Sequence, residues 1–72
     1  MGQEVNVNER IDLFLNNHTY IFIKLISGSI FNGFILSKED NSISFKDDIL
    51  GEIPILINEI IIIGYSNKGG QK

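Results

Sequence analysis

The chain of 72 residues has no cysteine and no tryptophan, and it has one proline and one histidine. Without cysteine it can form neither disulfides nor thiolate metal sites, and small secreted domains usually depend on disulfides. A nucleophile–base pair of the Cys/His kind is excluded, and any Ser/His/acid triad would have to use His18, beside a predicted helix end. We therefore predict a protein that is not an enzyme, with no cofactor and no metal.

Long apolar runs and an excess of basic charge are also missing. No apolar run approaches the roughly 20 residues that a membrane-spanning helix needs, and residues 1–10 lack the apolar segment of a signal peptide. The formal net charge of −3 argues against binding phosphate backbones by bulk attraction, although a local basic rim could still do so. These absences predict a cytoplasmic domain without a membrane partner.

Alternating β-branched and aromatic residues predict a small β protein. The five predicted strands, separated by polar turns, are residues 20–26, 29–36, 43–45, 53–57 and 60–65. An apolar stripe within residues 8–17 (Ile11, Phe14 and Leu15) predicts a short helix before them. Gly33, in mid-strand, predicts a sharp bend.

These elements predict a mainly β fold, in which a short N-terminal helix precedes a five-stranded, strongly bent antiparallel SH3-like small barrel. We expect one domain over residues 8–66, with flexible ends at residues 1–7 and 67–72. The adjacent acids Glu39-Asp40 and Asp47-Asp48 are interpreted as solvated turns, with cation binding as the alternative.

The segment EIIIIGY, residues 59–65, has four isoleucines in succession. Because alternate side chains of a strand face opposite sides, we expect Ile60 and Ile62 on one face and Ile61 and Ile63 on the other. A domain of this size has one core, so one of these faces needs another cover. A second subunit could provide it, and so could the N-terminal helix or the C-terminal tail.

The order of a helix and five strands, and the segment KLISGSIFNGFI, resemble the Sm/LSm family, including bacterial Hfq. The resemblance extends over about residues 9–65 and implies the Sm fold. The residues that match the first motif of that family are Leu25, Gly28, Phe31, Gly33 and Ile35. Further matches are Ile43 and Phe45 in the third strand, ILINEI at residues 55–60 in the second motif, and DLFLN at residues 12–16, which is similar to the Asp-x-Phe-Leu-Asn of Hfq helices.

The resemblance implies a homo-oligomeric ring, usually of six or seven subunits. In that family the fourth strand of one subunit pairs with the fifth strand of its neighbour, which would cover the second face of EIIIIGY. The residues expected at this oligomer interface are Leu56, Ile61 and Ile63.

The resemblance also implies that two turns line the pore of the ring and bind single-stranded RNA. Carried over by position, the RNA-binding candidates are Lys38, Asp40, Asn41, Ser42 and Asn58. Asn41 or Ser42 would occupy the place of the Asn that reads a base edge. Asn58 falls where Hfq has a His and many LSm proteins an Arg. No aromatic residue holds the stacking position, and the acidic Glu59 follows Asn58.

Together these features predict a non-catalytic protein of RNA metabolism that binds single-stranded, U-rich RNA. The alternative is an oligomeric protein-interaction scaffold of the same fold with little RNA binding, which the acidic balance favours. Tyr20, Phe22 and Lys24 share the outer face of the first strand. They are interpreted either as packing residues or as a second RNA surface.

Overall fold

One helix leads into five antiparallel strands in the computed structural model, which describes residues 7–66. The sheet has the strand order β4-β3-β2-β1-β5, which confirms the predicted mainly β architecture. The elements are α1 Val7–Asn17, β1 Ile21–Leu25, β2 Ile30–Lys38, β3 Ser42–Asp47, β4 Gly51–Leu56 and β5 Ile60–Tyr65. Residues 1–6 and 67–72, predicted as flexible ends, lie outside the described residues.

The third and fourth strands are longer than the sequence predicts. The expected loop at residues 46–52 is largely strand, because Lys46 and Glu52 occupy paired positions in the β3–β4 ladder. The chain after β4 forms a 3₁₀ turn, Ile57–Glu59. The helix begins one residue earlier than predicted, at Val7, whose side chain packs against the core.

The core lies between α1 and the concave face of the sheet. Ile11 and Phe14 of α1 are buried against the strands, as the predicted apolar stripe requires. The buried side chains of the sheet are Ile21, Ile23, Ile35, Ile43, Phe45, Ile55, Ile60 and Ile63. Burial of each such side chain contributes about 1.5–3 kcal/mol, so the core holds the helix on the sheet.

Gly33 lies where two strands approach too closely for a side chain. It pairs with both Ile21 of β1 and Asp47 of β3. A Cβ atom at this position would lie 1.8 Å from the backbone oxygen of Lys46. Glycine is therefore required here for close backbone approach.

The isoleucines of β5 do not alternate as expected. Ile60 and Ile63 are buried, whereas Ile61 and Ile62 are exposed, so the prediction that Ile61 and Ile63 share an outer face is wrong. The cause is a register shift against β1 between Lys24 and Leu25, which inserts an extra residue in β5. Ile63, expected at the oligomer interface, lies in the core of its own chain.

Strands β4 and β5 form the two edges of the sheet. Each is paired on one side only within residues 7–66. Unpaired strand edges are templates for pairing with another chain. Pro54, which cannot donate a hydrogen bond, lies in edge strand β4, where proline is tolerated.

Candidate nucleic-acid interface

Two turns that are far apart in sequence meet at one end of the sheet. The first joins β2 to β3, and the backbone N–H of Glu39 donates to the carbonyl of Ser42 over 2.7 Å to close it. The second is the 3₁₀ turn Ile57–Glu59. The backbone N–H of Ile57 donates to the carbonyl of Asn41 over 2.9 Å, which fastens the second turn to the first.

The joined turns enclose an open concavity of about 660 Å³. Its polar lining consists of Asn8, Asp40, Asn41 and Asn58, and its apolar lining of Leu56 and Ile57. A second concavity of about 450 Å³ shares Asp40, Asn41 and Leu56 and adds Glu39 and Ser42. We call the first of these the amide cavity.

Four of the five predicted RNA-binding residues therefore lie together, and the fifth is engaged elsewhere. Asp40, Asn41, Ser42 and Asn58 line the two adjoining concavities. Lys38, at the end of β2, forms an ion pair with Asp12 of α1, with 3.0 Å between Nζ and Oδ1. Asp12 therefore offsets the positive charge that Lys38 brings to this end of the sheet.

The chemistry of the amide cavity is that of neutral hydrogen bonding. The side chains of Asn8, Asn41 and Asn58 each offer two N–H donors and one carbonyl acceptor, so they can complement the edge of a base. Leu56 and Ile57 give the cavity an apolar wall against which a flat ring can lie. Asp40 adds a carboxylate, which disfavours a phosphate group at its own position.

Asn8 is not among the RNA-binding residues predicted from the sequence. The structure places it within α1 and beside the joined turns. More than thirty positions separate it from Asn41 in the sequence. No local pattern could have signalled this neighbourhood, which exists because α1 packs across the sheet.

Of the pair Asp47-Asp48, interpreted from the sequence as a solvated turn, Asp48 is exposed in a turn as expected, but Asp47 is buried at the end of β3. Asp47 is only 7% exposed, and its Oδ2 accepts the backbone N–H groups of Ile49 and Leu50 at 2.9 Å each. It therefore shapes the β3–β4 turn. Within residues 7–66, no group of three acidic or histidine side chains could hold a metal ion, which gives the cation alternative no support.

Asp48 accepts a hydrogen bond from the hydroxyl of Tyr20. That hydrogen bond, with smaller contributions from desolvation and from the Asp48 and Asp47 charges, raises the pKa of Tyr20 to about 12. The ring of Tyr20 also contacts Phe34 edge to face, with 5.3 Å between centroids. These contacts support the packing interpretation for Tyr20, while the roles of Phe22 and Lys24 as a second RNA surface stay a prediction.

Among residues 7–66, no helix has the length and apolar character needed to cross a membrane. No protein-family model matches the sequence, and no curated protein matches it. The chain is similar to a solved structure, the 1.55 Å crystal structure of the pleiotropic translational regulator Hfq. The similarity has a TM-score of 0.70 at 17% identity and covers 82% of this chain and 98% of that chain. The fold is therefore the Sm-like fold of Hfq, as the sequence predicts.

Proposed function

We propose that the protein is a non-catalytic RNA-binding module that assembles into a homo-oligomeric ring and holds single-stranded, U-rich RNA in its amide cavities. Since the proposed partner is RNA, we place it in cytoplasmic RNA metabolism. The observation that carries the proposal is the amide cavity itself. Asn41 and Asn58, both selected from the sequence as RNA-binding candidates, line the same concavity although they come from different turns.

A splayed-out base of single-stranded RNA suits this cavity. Such bases expose their Watson–Crick edges to side-chain amides, and uracil offers both carbonyl acceptors and an N–H donor. Asn41 and Asn58 can satisfy both kinds of group. The wall of Leu56 and Ile57 replaces the aromatic stacking residue that is missing from the turn, so we expect weaker binding per base than on an aromatic platform.

The free edges of the sheet support the ring. Strand β4 of one subunit can pair with β5 of the next, and repetition of this contact around a closed ring leaves no unpaired edge. Leu56 and Ile61 are exposed on these edge strands and remain the proposed interface side chains. Ring closure would also gather the amide cavities of all subunits around one opening.

The second candidate function is a protein-interaction scaffold with little affinity for RNA. The ion pair between Lys38 and Asp12 favours it, because Lys38, the one basic residue among the RNA-binding candidates, already has a carboxylate partner. Glu39, Asp40 and Glu59 are exposed around the same turns. Repeated around a ring, these acids would oppose the phosphate backbone.

The test is fluorescence anisotropy of a labelled oligouridine titrated with the purified protein at two salt concentrations. Asn41→Ala removes one base-reading amide, and we expect affinity to fall on the order of tenfold, as for the loss of one or two hydrogen bonds. Asn17→Ala is the matched control, because Asn17 is exposed on α1 and lies outside the cavity. The control should bind as the unaltered protein does.

Salt dependence separates the two candidate functions. RNA held through phosphates releases counterions, so its affinity must fall as salt rises. Affinity that is undetectable at low salt would refute the RNA proposal and leave the scaffold. Binding that Asn41→Ala leaves unchanged would move the site away from the amide cavity.

A further inference from the structure

A second surface of the chain is apolar and unused by the proposed function. Ile30 of β2 and Ile62 of β5 both pair with Lys24 of β1, so the three side chains form a row on the outer face of the sheet. Ile30 also lines a concavity of about 270 Å³ together with Ile49 and Leu50 of the β3–β4 turn. We call the four aliphatic residues Ile30, Ile49, Leu50 and Ile62 the apolar belt.

All four side chains of the belt are exposed to solvent. Its four side chains are 45–83% exposed, and Ile49 is the most exposed of them. Contiguous apolar surfaces of this kind mark interaction sites. The turn that presents Ile49 and Leu50 is held by the buried Asp47, so these side chains are displayed by an ordered turn.

The chemistry of the belt favours protein over nucleic acid. A stacking platform for bases uses aromatic rings and cations, whereas the belt consists of branched aliphatic side chains, and Phe31, which lines the same concavity, is half-buried. Asp48 adjoins the belt and lines the same concavity as Ile30. Its carboxylate would repel a phosphate, and Lys24 supplies a single compensating charge.

We propose that the apolar belt binds the belt of a second copy of this chain, with a two-fold axis between them. Lys24 lies between Ile62 and Ile30 across the strands, and Asp48 lines the concavity that Ile30 shares with Ile49. In an isologous pair each patch meets itself in the reverse direction. That arrangement buries the aliphatic side chains of both copies. It also brings Lys24 of each copy towards Asp48 of the other, so the two opposite charges of the surface pair across the contact.

This pairing is independent of RNA binding and of the β4–β5 edge contact. It applies to two single subunits as well as to two rings stacked belt to belt. In stacked rings the contact repeats around the axis, so a weak pair becomes a stable assembly through multivalency.

Sedimentation velocity of the full chain tests the pairing. Ile49→Glu places a charge in the proposed contact. Because Ile49 is 83% exposed, we expect the variant to fold. Its assembly should have half the mass of the unaltered protein. Leu13→Glu is the matched control, because Leu13 is also exposed but lies on α1, and it should keep the full mass. Circular dichroism melting verifies that both variants fold.

A charge exchange makes the test specific. Lys24→Glu alone and Asp48→Lys alone should each shift the protein towards the half-mass form, and the double variant should restore the full mass. An Ile49→Glu variant with the mass of the unaltered protein would overturn the proposal. If that full-mass variant also lost affinity for oligonucleotides, the belt would be a nucleic-acid surface.

Discussion

The amide cavity and the apolar belt each include a turn of the same sheet, yet they differ in chemistry. The cavity combines amides and a carboxylate with a small apolar wall, whereas the belt joins one turn and two strands through aliphatic side chains. In both regions hydrogen bonds donated by backbone N–H groups hold the turn in place, with carbonyl acceptors in the first and the Asp47 carboxylate in the second. The sheet therefore determines where side chains are exposed, and the residues of the turns, which do not pack in the core, determine what can be bound.

The substitution with the largest expected effect disrupts the sheet on which both regions lie. Gly33→Ala would place a Cβ atom 1.8 Å from the Lys46 oxygen, so β2 and β3 must separate. We expect a loss of about 3 kcal/mol or more of unfolding free energy, measured by urea denaturation. Gly64→Ala is the control, since its Cβ would make an ordinary contact of 3.5 Å with Phe22, and a similar loss there would refute the steric explanation.

The next change affects the belt and spares the cavity. Asp47→Ala removes the carboxylate that accepts the N–H groups of Ile49 and Leu50, and we expect a loss of about 2–3 kcal/mol, because hydrogen bonds to a charged acceptor are strong. Amide hydrogen exchange should rise in the β3–β4 turn and not at Ile57. The exposed Asp40, changed to Ala, should cost little stability. Equal losses for both aspartates would contradict the structural role of Asp47.

A smaller effect is expected at the end of the helix that brings Asn8 to the cavity. His18 has a φ of 53° and follows α1, and the N–H of Thr19 closes the helix by donating to the carbonyl of Phe14 over 3.1 Å. This helix ending favours glycine at the left-handed residue. His18→Gly should therefore raise the unfolding free energy by about 1 kcal/mol, measured by thermal melting. His18→Ala, which keeps the strain, should give no such gain.

The smallest effect on stability concerns the hydrogen bond beside the belt. The pKa of Tyr20 is raised from 10.0 to about 12, so the folded state favours the protonated phenol. The contribution of this hydrogen bond to the free energy of unfolding is fully present below about pH 10 and is lost as the pH rises towards 12. In a Tyr65→Phe background, tyrosinate absorbance reports Tyr20 alone and should reach its midpoint near pH 12.

Asp48→Asn in the same background should bring that midpoint back towards 10, since the first cause of the shift is the hydrogen bond to Asp48. Circular dichroism at each pH establishes that the titrating chain is folded. A midpoint near 10 in the folded chain before Asp48 is changed would contradict the Tyr20–Asp48 contact.

Much of the fold follows from local patterns in the sequence. The stripe of Ile11 and Phe14 and the alternation of Ile21 and Ile23 predict the faces that the structure buries. The β5 prediction failed because a bulge adds one residue opposite β1, and four identical side chains contain no information on where that residue falls. Burial of Asp47 was missed because its partners are backbone N–H groups of a turn, which sequence does not reveal.

The candidate site was also predictable only where a local pattern in the sequence marks its residues. The resemblance to a family motif selected Asn41 and Asn58, and the structure brings them to one concavity. Asn8 and the Lys38–Asp12 ion pair depend on how α1 crosses the sheet. Such contacts between distant segments arise from tertiary packing, so alternation and spacing do not encode them.

Native mass spectrometry of the full chain, alone and with a short oligouridine, tests ring formation and RNA binding together. We expect a ring of six or seven subunits, or twice that number where two belts pair, that takes up the oligonucleotide. A ring of any size that takes up no oligouridine would contradict RNA binding and favour the protein scaffold. A single chain that binds none would contradict the whole account, and another cover for the exposed isoleucines of β5 would then have to be found.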